Sequence, residues 1–149
     1  MKTIQTHTNY IEWLSADQMH EASKEWLSEL RFISDEHLFF EDLITTFTSQ
    51  LIESKRFSDT KEIIDVMNKS QKQNNLLIKT IIAHENELQI MVDGIDQVKE
   101  ENAYTRSHKS LIDSINEFLK EYKLLKIQLF DIIKNIKKEE KRNRLIDKR

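Results

Sequence analysis

The chain has 149 residues, of which 38% are hydrophobic and 33% are charged, and its formal net charge at pH 7 is −3. It contains no cysteine, no proline and one glycine, which excludes disulfides, thiolate metal sites, cysteine nucleophiles and glycine-rich phosphate loops. Because turns draw on glycine and proline, a chain with so little of either is expected to form few turns and long helices.

Residues 1–12 are expected to form an N-terminal arm in front of a single helical-bundle domain over residues 13–149. The arm carries one lysine and lacks the apolar run of a secretory signal. No stretch of the chain reaches the length of uninterrupted apolar sequence that spans a bilayer. These features predict a cytoplasmic protein.

The first predicted helix covers approximately residues 16–52. Ser15 and Gln18 have the spacing of a capping box, in which a hydroxyl at the N-cap is followed three residues later by a Glu or Gln side chain. Behind it, one residue in every three or four is suited to an inner helix face. This row consists of Met19, Ala22, Trp26, Leu30, Ile33, His37, Phe40, Ile44, Phe47 and Leu51.

Two further helices are predicted at approximately residues 59–99 and 103–147, separated by the polar residues Glu100, Glu101 and Asn102. Both carry heptad-like rows. The row of the second helix runs Thr60, Ile63, Met67, Ser70, Asn74, Leu77, Ile81, His84, Leu88, Met91, Ile95 and Val98. The row of the third runs Tyr104, His108, Leu111, Ile115, Phe118, Tyr122, Leu125, Leu129, Ile132 and Ile136.

Short connections between long helices make successive helices antiparallel. The sequence therefore predicts an all-α fold, an elongated up-down-up antiparallel three-helix bundle of coiled-coil type. The bundle is expected to assemble into a larger one as a dimer.

Three histidines fall on the inner rows: His37, His84 and His108. If the two turns are centred near residues 56 and 101, these side chains lie on separate layers, roughly 14 Å apart at 1.5 Å per residue. They are then too distant to share a metal ion. His37 is expected instead to form a buried polar layer with Asn74 and Tyr122, of the kind that fixes register in coiled coils.

The remaining metal candidate combines His20, His108 and Asp17, which fall near one level of the predicted bundle. It is weak, because the ferritin-like Glu-x-x-His motif is missing from the inner rows. The sequence predicts no metal and no cofactor. The acidic pair Glu36 and Glu41 is interpreted as part of a solvated helix face.

Active sites usually lie in loops, and this chain is expected to have few. The sequence therefore predicts no catalytic residues and no enzyme. The leading hypothesis is a non-enzymatic helical protein that acts through protein–protein contacts, as an adaptor, regulator or assembly subunit. The alternative is a sensory helical bundle that binds a metal or a small ligand in its core.

Several apolar residues fall behind the inner rows and are expected to gather into an interface. The sequence predicts a two-fold, antiparallel homodimer through these positions, with an unknown protein as further partner. The predicted interface residues are Phe32, Phe39, Leu43, Leu76, Ile90 and Ile127.

Charge is distributed unevenly along the chain. Residues 12–42 carry nine acids and two bases, and residues 134–149 carry eight bases and three acids. The overall negative charge makes nucleic acid an unexpected partner. The basic tail is either a solvated helix face or a contact for an acidic partner or an anionic surface.

Overall fold

A computed structural model describes residues 15–53, 57–93 and 98–147. This part of the chain forms four α-helices and no strand, which confirms the all-α class. The helices are α1 (Ala16–Thr46), α2 (Thr48–Glu53), α3 (Phe57–Asp93) and α4 (Val98–Asp147). The N-terminal arm predicted over residues 1–12 lies outside the described residues.

The capping box at the start of α1 is confirmed. The Ser15 backbone N–H donates to Gln18 Oε1 at 2.8 Å, and the Gln18 backbone N–H donates to Ser15 Oγ at 3.2 Å. Each side chain thus satisfies a backbone group that a helix terminus would otherwise leave without a partner. This reciprocal pair explains why the helix begins at Ala16.

The single helix predicted over residues 16–52 is interrupted at Phe47, where α1 gives way to α2. Threonine hydroxyls cluster around this point: Thr45 donates to the Glu41 carbonyl and Thr46 donates to the Asp42 carbonyl. Thr48 donates to two carbonyls, those of Ile44 and Thr45. Such bonds to the preceding turn compete with the helical pattern. The interruption is local, because the Phe47 N–H still donates to the Leu43 carbonyl and the Leu51 N–H to the Phe47 carbonyl.

The second and third helices differ from the predicted ranges at their connection. The helix expected to end at residue 99 ends at Asp93, and the helix expected to begin at residue 103 begins at Val98. Glu101 and Asn102, expected to interrupt the helical pattern, are helical and exposed in α4.

The chain divides into two compact units. Unit 1 consists of Met1–Phe32 and Asn74–Phe118, and unit 2 consists of Ile33–Gln73 and Leu119–Arg149. The single domain expected over residues 13–149 stays a prediction. Each of the long helices α1, α3 and α4 contributes one segment to each unit.

In unit 1, α1 runs antiparallel to α3 and parallel to α4. His20 of α1 contacts Glu85 of α3, and Leu30 contacts Asn74. The residue numbers therefore run in opposite directions along the two helices. Toward α4, Met19 packs with Tyr104, and Trp26 stacks on His108 four residues later. A small apolar cluster of Met19, Leu88 and Tyr104 closes this core near the start of α1.

In unit 2, α1 is also parallel to α4. Glu36 accepts hydrogen bonds from Tyr122 and Lys126, and Phe40 contacts Phe130 edge-on at 5.4 Å between ring centroids. His37 reaches α3 through Ser70. All three long helices therefore supply side chains to the core of this unit.

The inner row predicted for the third helix is confirmed along its whole length. All ten of its residues, from Tyr104 to Ile136, are buried on α4. Burial of one aliphatic or aromatic side chain stabilises a fold by about 1.5–3 kcal/mol, so this row is a major source of stability. None of the helices in the described part of the chain has the length and apolar character needed to cross a membrane.

Candidate functional site

The most unusual group of side chains in unit 1 is a stack of four rings, Trp26, His108, His84 and Tyr104, referred to below as the ring stack. The ring centroids are 4.8 Å apart for Trp26 and His108, 5.2 Å for His108 and His84, and 3.9 Å for His84 and Tyr104. Tyr104 and His108 are four residues apart on α4, so they share a helix face. The three long helices each contribute at least one ring.

The two imidazoles in the centre of the ring stack are joined by a hydrogen bond. His84 Nε2 lies 3.0 Å from His108 Nδ1, and both side chains are buried. Burial lowers the pKa of His84 to about 4, with a smaller contribution in the same direction from His108. Burial also lowers the pKa of His108 to about 4, so both rings are neutral at pH 7.

This contact corrects the predicted spacing of the inner histidines. His84 and His108 were expected on separate layers, and that expectation is wrong. α4 is already helical at Val98, five residues before its predicted start at residue 103. The contact of His84 with His108 shows that the two helices are level about a midpoint near residue 96, instead of the predicted 101.

The residues of the weak metal candidate have other described surroundings in unit 1. His20 contacts Glu85 of α3, His108 contacts His84 and Trp26, and the Asp17 side chain is exposed. Within the described ranges, no three or more His, Cys, Asp or Glu side chains are arranged so that they could hold a metal ion.

The predicted polar layer of His37, Asn74 and Tyr122 is divided between the units. His37 belongs to unit 2, where its Nε2 lies 3.1 Å from Ser70 Oγ and its ring is tilted against Tyr122 at 5.1 Å. Asn74 belongs to unit 1, where its amide donates to the Leu30 carbonyl at 3.0 Å. All three side chains are buried.

Burial is the main cause of the pKa shifts in the unit 2 layer. Burial lowers the pKa of His37, and the Ile33 carbonyl and the Glu36 carboxylate act in the opposite direction. Burial raises the pKa of Tyr122, and the Glu36 carboxylate adds to that effect. At pH 7, therefore, the tyrosine is protonated and donates its O–H to Glu36 Oε1 at 3.1 Å.

Glu36 was interpreted as part of a solvated face, and this interpretation is wrong. Its carboxylate is half-buried and accepts from the Tyr122 hydroxyl and from Lys126 Nζ, the latter at 3.3 Å. Lys126 Nζ also lies 5.0 Å from the centre of the Tyr122 ring. Glu41, by contrast, is exposed.

The predicted interface residues lie on the surfaces of the units. Leu43 is half-buried, and the side chains of the other five are more than half exposed: Phe32, Phe39, Leu76, Ile90 and Ile127. Phe130 is a surface aromatic residue outside the predicted interface, and it directly follows Leu129 of the inner row. Its ring contacts Phe40, and Phe40 in turn contacts Phe39.

No family model, no curated protein and no solved structure matches the chain.

The ring stack predicts that unit 1 loses stability in acid. Each central imidazole has a pKa near 6.5 in the unfolded chain and about 4 in the folded chain, so the unfolded chain binds protons first as the pH falls. The free energy of unfolding should be highest above pH 6.5 and fall between pH 6.5 and 4, by on the order of 3 kcal/mol for each imidazole. Urea titrations followed by circular dichroism at successive pH values measure this.

The matched control is His84→Phe combined with His108→Phe, which keeps two rings in the stack and removes both titrating groups. This variant should show a flatter decline of stability between pH 6.5 and 4, with His37 contributing part of what remains. An unchanged slope in the variant contradicts the assignment of acid sensitivity to this pair.

The hydrogen bond between His37 and Ser70 generates a second prediction. Ser70→Ala leaves His37 Nε2 buried without its partner, which should cost about 1–3 kcal/mol of unfolding free energy. His37→Leu combined with Ser70→Ala removes both polar groups and should cost less than the sum of the two single substitutions. A double-mutant cycle of urea unfolding at pH 7 measures the coupling, and strictly additive effects refute it.

Proposed function

We propose that this chain is a non-enzymatic helical protein that acts through protein–protein contacts, beginning with its own homodimer. The observation that carries the proposal is an aromatic surface patch on unit 2, formed by Phe39 and Phe130. Phe39 is 55% exposed and Phe130 is 49% exposed, and both rings contact Phe40, which is 1% exposed.

Phe39 and Phe130 each contact the buried ring of Phe40, so no more than one side chain separates the two exposed rings. Isolated apolar residues on a surface are ordinary, whereas adjoining ones mark contact surfaces. Aromatic residues are also enriched in the buried centres of interfaces and among the residues that contribute most to binding. The patch thus has the composition of an interface centre.

The proposed fold beneath this patch is an up-down-up bundle of the three long helices α1, α3 and α4, with α2 as a short continuation of α1. The antiparallel contacts of α1 with α3 in unit 1, and the parallel contacts of α1 with α4 in each unit, support it. Long helices of this kind offer extended outer faces, which suits an adaptor, a regulator or an assembly subunit.

A homodimer predicts a measurable mass. Light scattering coupled to size exclusion should give twice 17.9 kDa for the wild-type chain at micromolar concentration. Phe39→Glu introduces a charge into the aromatic patch and should shift the mass to 17.9 kDa with helicity retained, because a buried unpaired charge opposes association.

The control is Ile52→Glu, which places the same charge at an exposed apolar residue of α2. This variant should remain dimeric. A wild-type mass of 17.9 kDa refutes the homodimer, and equal effects of both substitutions refute the assignment of the patch.

A second candidate function is that of a sensory bundle that binds a small polar ligand. It is favoured by buried polar atoms of unit 1 that have no hydrogen-bond partner among the described residues: Ser23 Oγ, Glu85 Oε1, Tyr104 Oη and His108 Nε2. Native mass spectrometry of untagged protein is the test. A bound mass that His108→Phe removes supports this candidate, and a bare chain mass counts against it.

A further inference from the structure

We propose that the exposed basic end of α4 binds an exposed acidic row on α1 of a second copy of the chain. This inference rests on the homodimer of the proposed function and specifies a second contact within it. A second copy fits as the partner because the two rows are opposite in charge and match in spacing.

The end of α4 extends beyond its last buried residue. Ile136 is buried, every residue from 137 to 146 is exposed, and the helix continues to Asp147. The bases of this segment form no ion pair with another described residue. An uncovered, charged helical extension of this kind is suited to contact with a separate chain.

Positive charge is confined to one face of this extension. At 100° per residue, the five bases of the extension and Lys134 just before it fall within an arc of roughly 160°, and the acids Glu139 and Glu140 fall on the opposite side. The bases are Lys134, Lys137, Lys138, Lys141, Arg142 and Arg144. Leu145 lies within the basic arc and is 60% exposed, which adds an apolar contact to the charged face.

The complementary row lies on α1 within unit 1. It contains Asp17, Glu21, Glu25, Ser28 and Phe32, all exposed, at steps of four, four, three and four residues. These steps keep the side chains on one helix face. The row therefore begins acidic and ends in an exposed aromatic ring.

Read from its C-terminal end, the outer row of α4 has the same steps. Leu145, Lys141, Lys137, Lys134 and Phe130 are separated by four, four, three and four residues, and all are exposed. When the two rows are laid antiparallel, each residue of the α4 row faces one residue of the α1 row. Glu21 then meets Lys141, Glu25 meets Lys137, and Phe32 meets Phe130.

Each row contains like charges four residues apart, which repel each other within one helix. A facing row of opposite sign relieves this repulsion. Glu21 also pairs with Lys24 at 3.4 Å on the surface of α1, but both side chains are mostly exposed, and pairs of that kind contribute little. The pair therefore leaves Glu21 available to a partner helix.

The experiment uses the full chain and reverses one row at a time. Glu21→Lys with Glu25→Lys makes the α1 row basic, and Lys137→Glu with Lys141→Glu makes the α4 row acidic. Each variant alone should self-associate at least about tenfold more weakly than wild type in sedimentation equilibrium at low salt. An equimolar mixture of the two should form a heterodimer with an affinity near that of wild type, because both kinds of facing row are then opposite in charge.

The matched control is Lys69→Glu with Lys72→Glu, which makes an equal change in charge at exposed positions of α3. It should leave self-association unchanged. Circular dichroism verifies that every variant keeps its helices. If a variant self-associated weakly because it was misfolded, mixing it with the other variant would not restore association. Recovery in the mixture therefore reports the pairing of opposite charges.

Three results overturn the inference. Wild-type affinity in both reversed variants shows that the copies associate through other surfaces, which leaves the proposed homodimer in place. A wild-type chain that is monomeric at all concentrations refutes both. If Lys137→Glu with Lys141→Glu abolishes binding to phosphatidylserine vesicles while self-association persists, the basic face contacts lipid instead of a second copy.

Discussion

Burial of the inner face of α4 is the constraint on which both units depend. This helix supplies Tyr104 and His108 to unit 1 and Tyr122 and Leu129 to unit 2, and its whole predicted inner row is buried. The helix needs this support because long helices in water are stabilised mainly by packing of one face. In unit 1, Trp26 of α1 and His84 of α3 both pack against this face through His108.

The polar residues of the inner rows make this packing specific. His84 and His108 can occupy the core of unit 1 because each satisfies one ring nitrogen of the other and both stay neutral. His37 is accommodated in unit 2 by Ser70 and by the face of Tyr122. Apolar residues in their place could pack against the neighbouring helix at several axial registers, whereas each of these hydrogen bonds forms at one register only.

The outer faces differ from the core in the function they can serve. Phe39 and Phe130 expose aromatic surface above a buried ring, and the end of α4 presents bases on one side of a helix that no described residue covers. Neither feature adds to the stability of the isolated chain, because surface left in water makes no hydrophobic contribution.

Local and periodic properties were predictable from the sequence. The capping box of Ser15 and Gln18, the all-α class and the inner row of α4 follow from side-chain chemistry and a repeat of three and four residues, which act within one helix. The interruption at Phe47 was missed because threonine bonds to the preceding turn compete only slightly with the helix, and the outcome depends on their number.

Contacts between helices were decided by tertiary structure. A turn centred near residue 101 puts His84 and His108 on separate layers, whereas their contact requires a midpoint near residue 96. Glu36 likewise became half-buried because Tyr122 and Lys126 of α4 lie beside it. By itself, the sequence determined which face of each helix is buried, since that depends on the spacing of side chains along one helix. The tertiary structure decided which residues meet, because axial alignment depends on where each helix ends and on the few polar bonds that form at only one register.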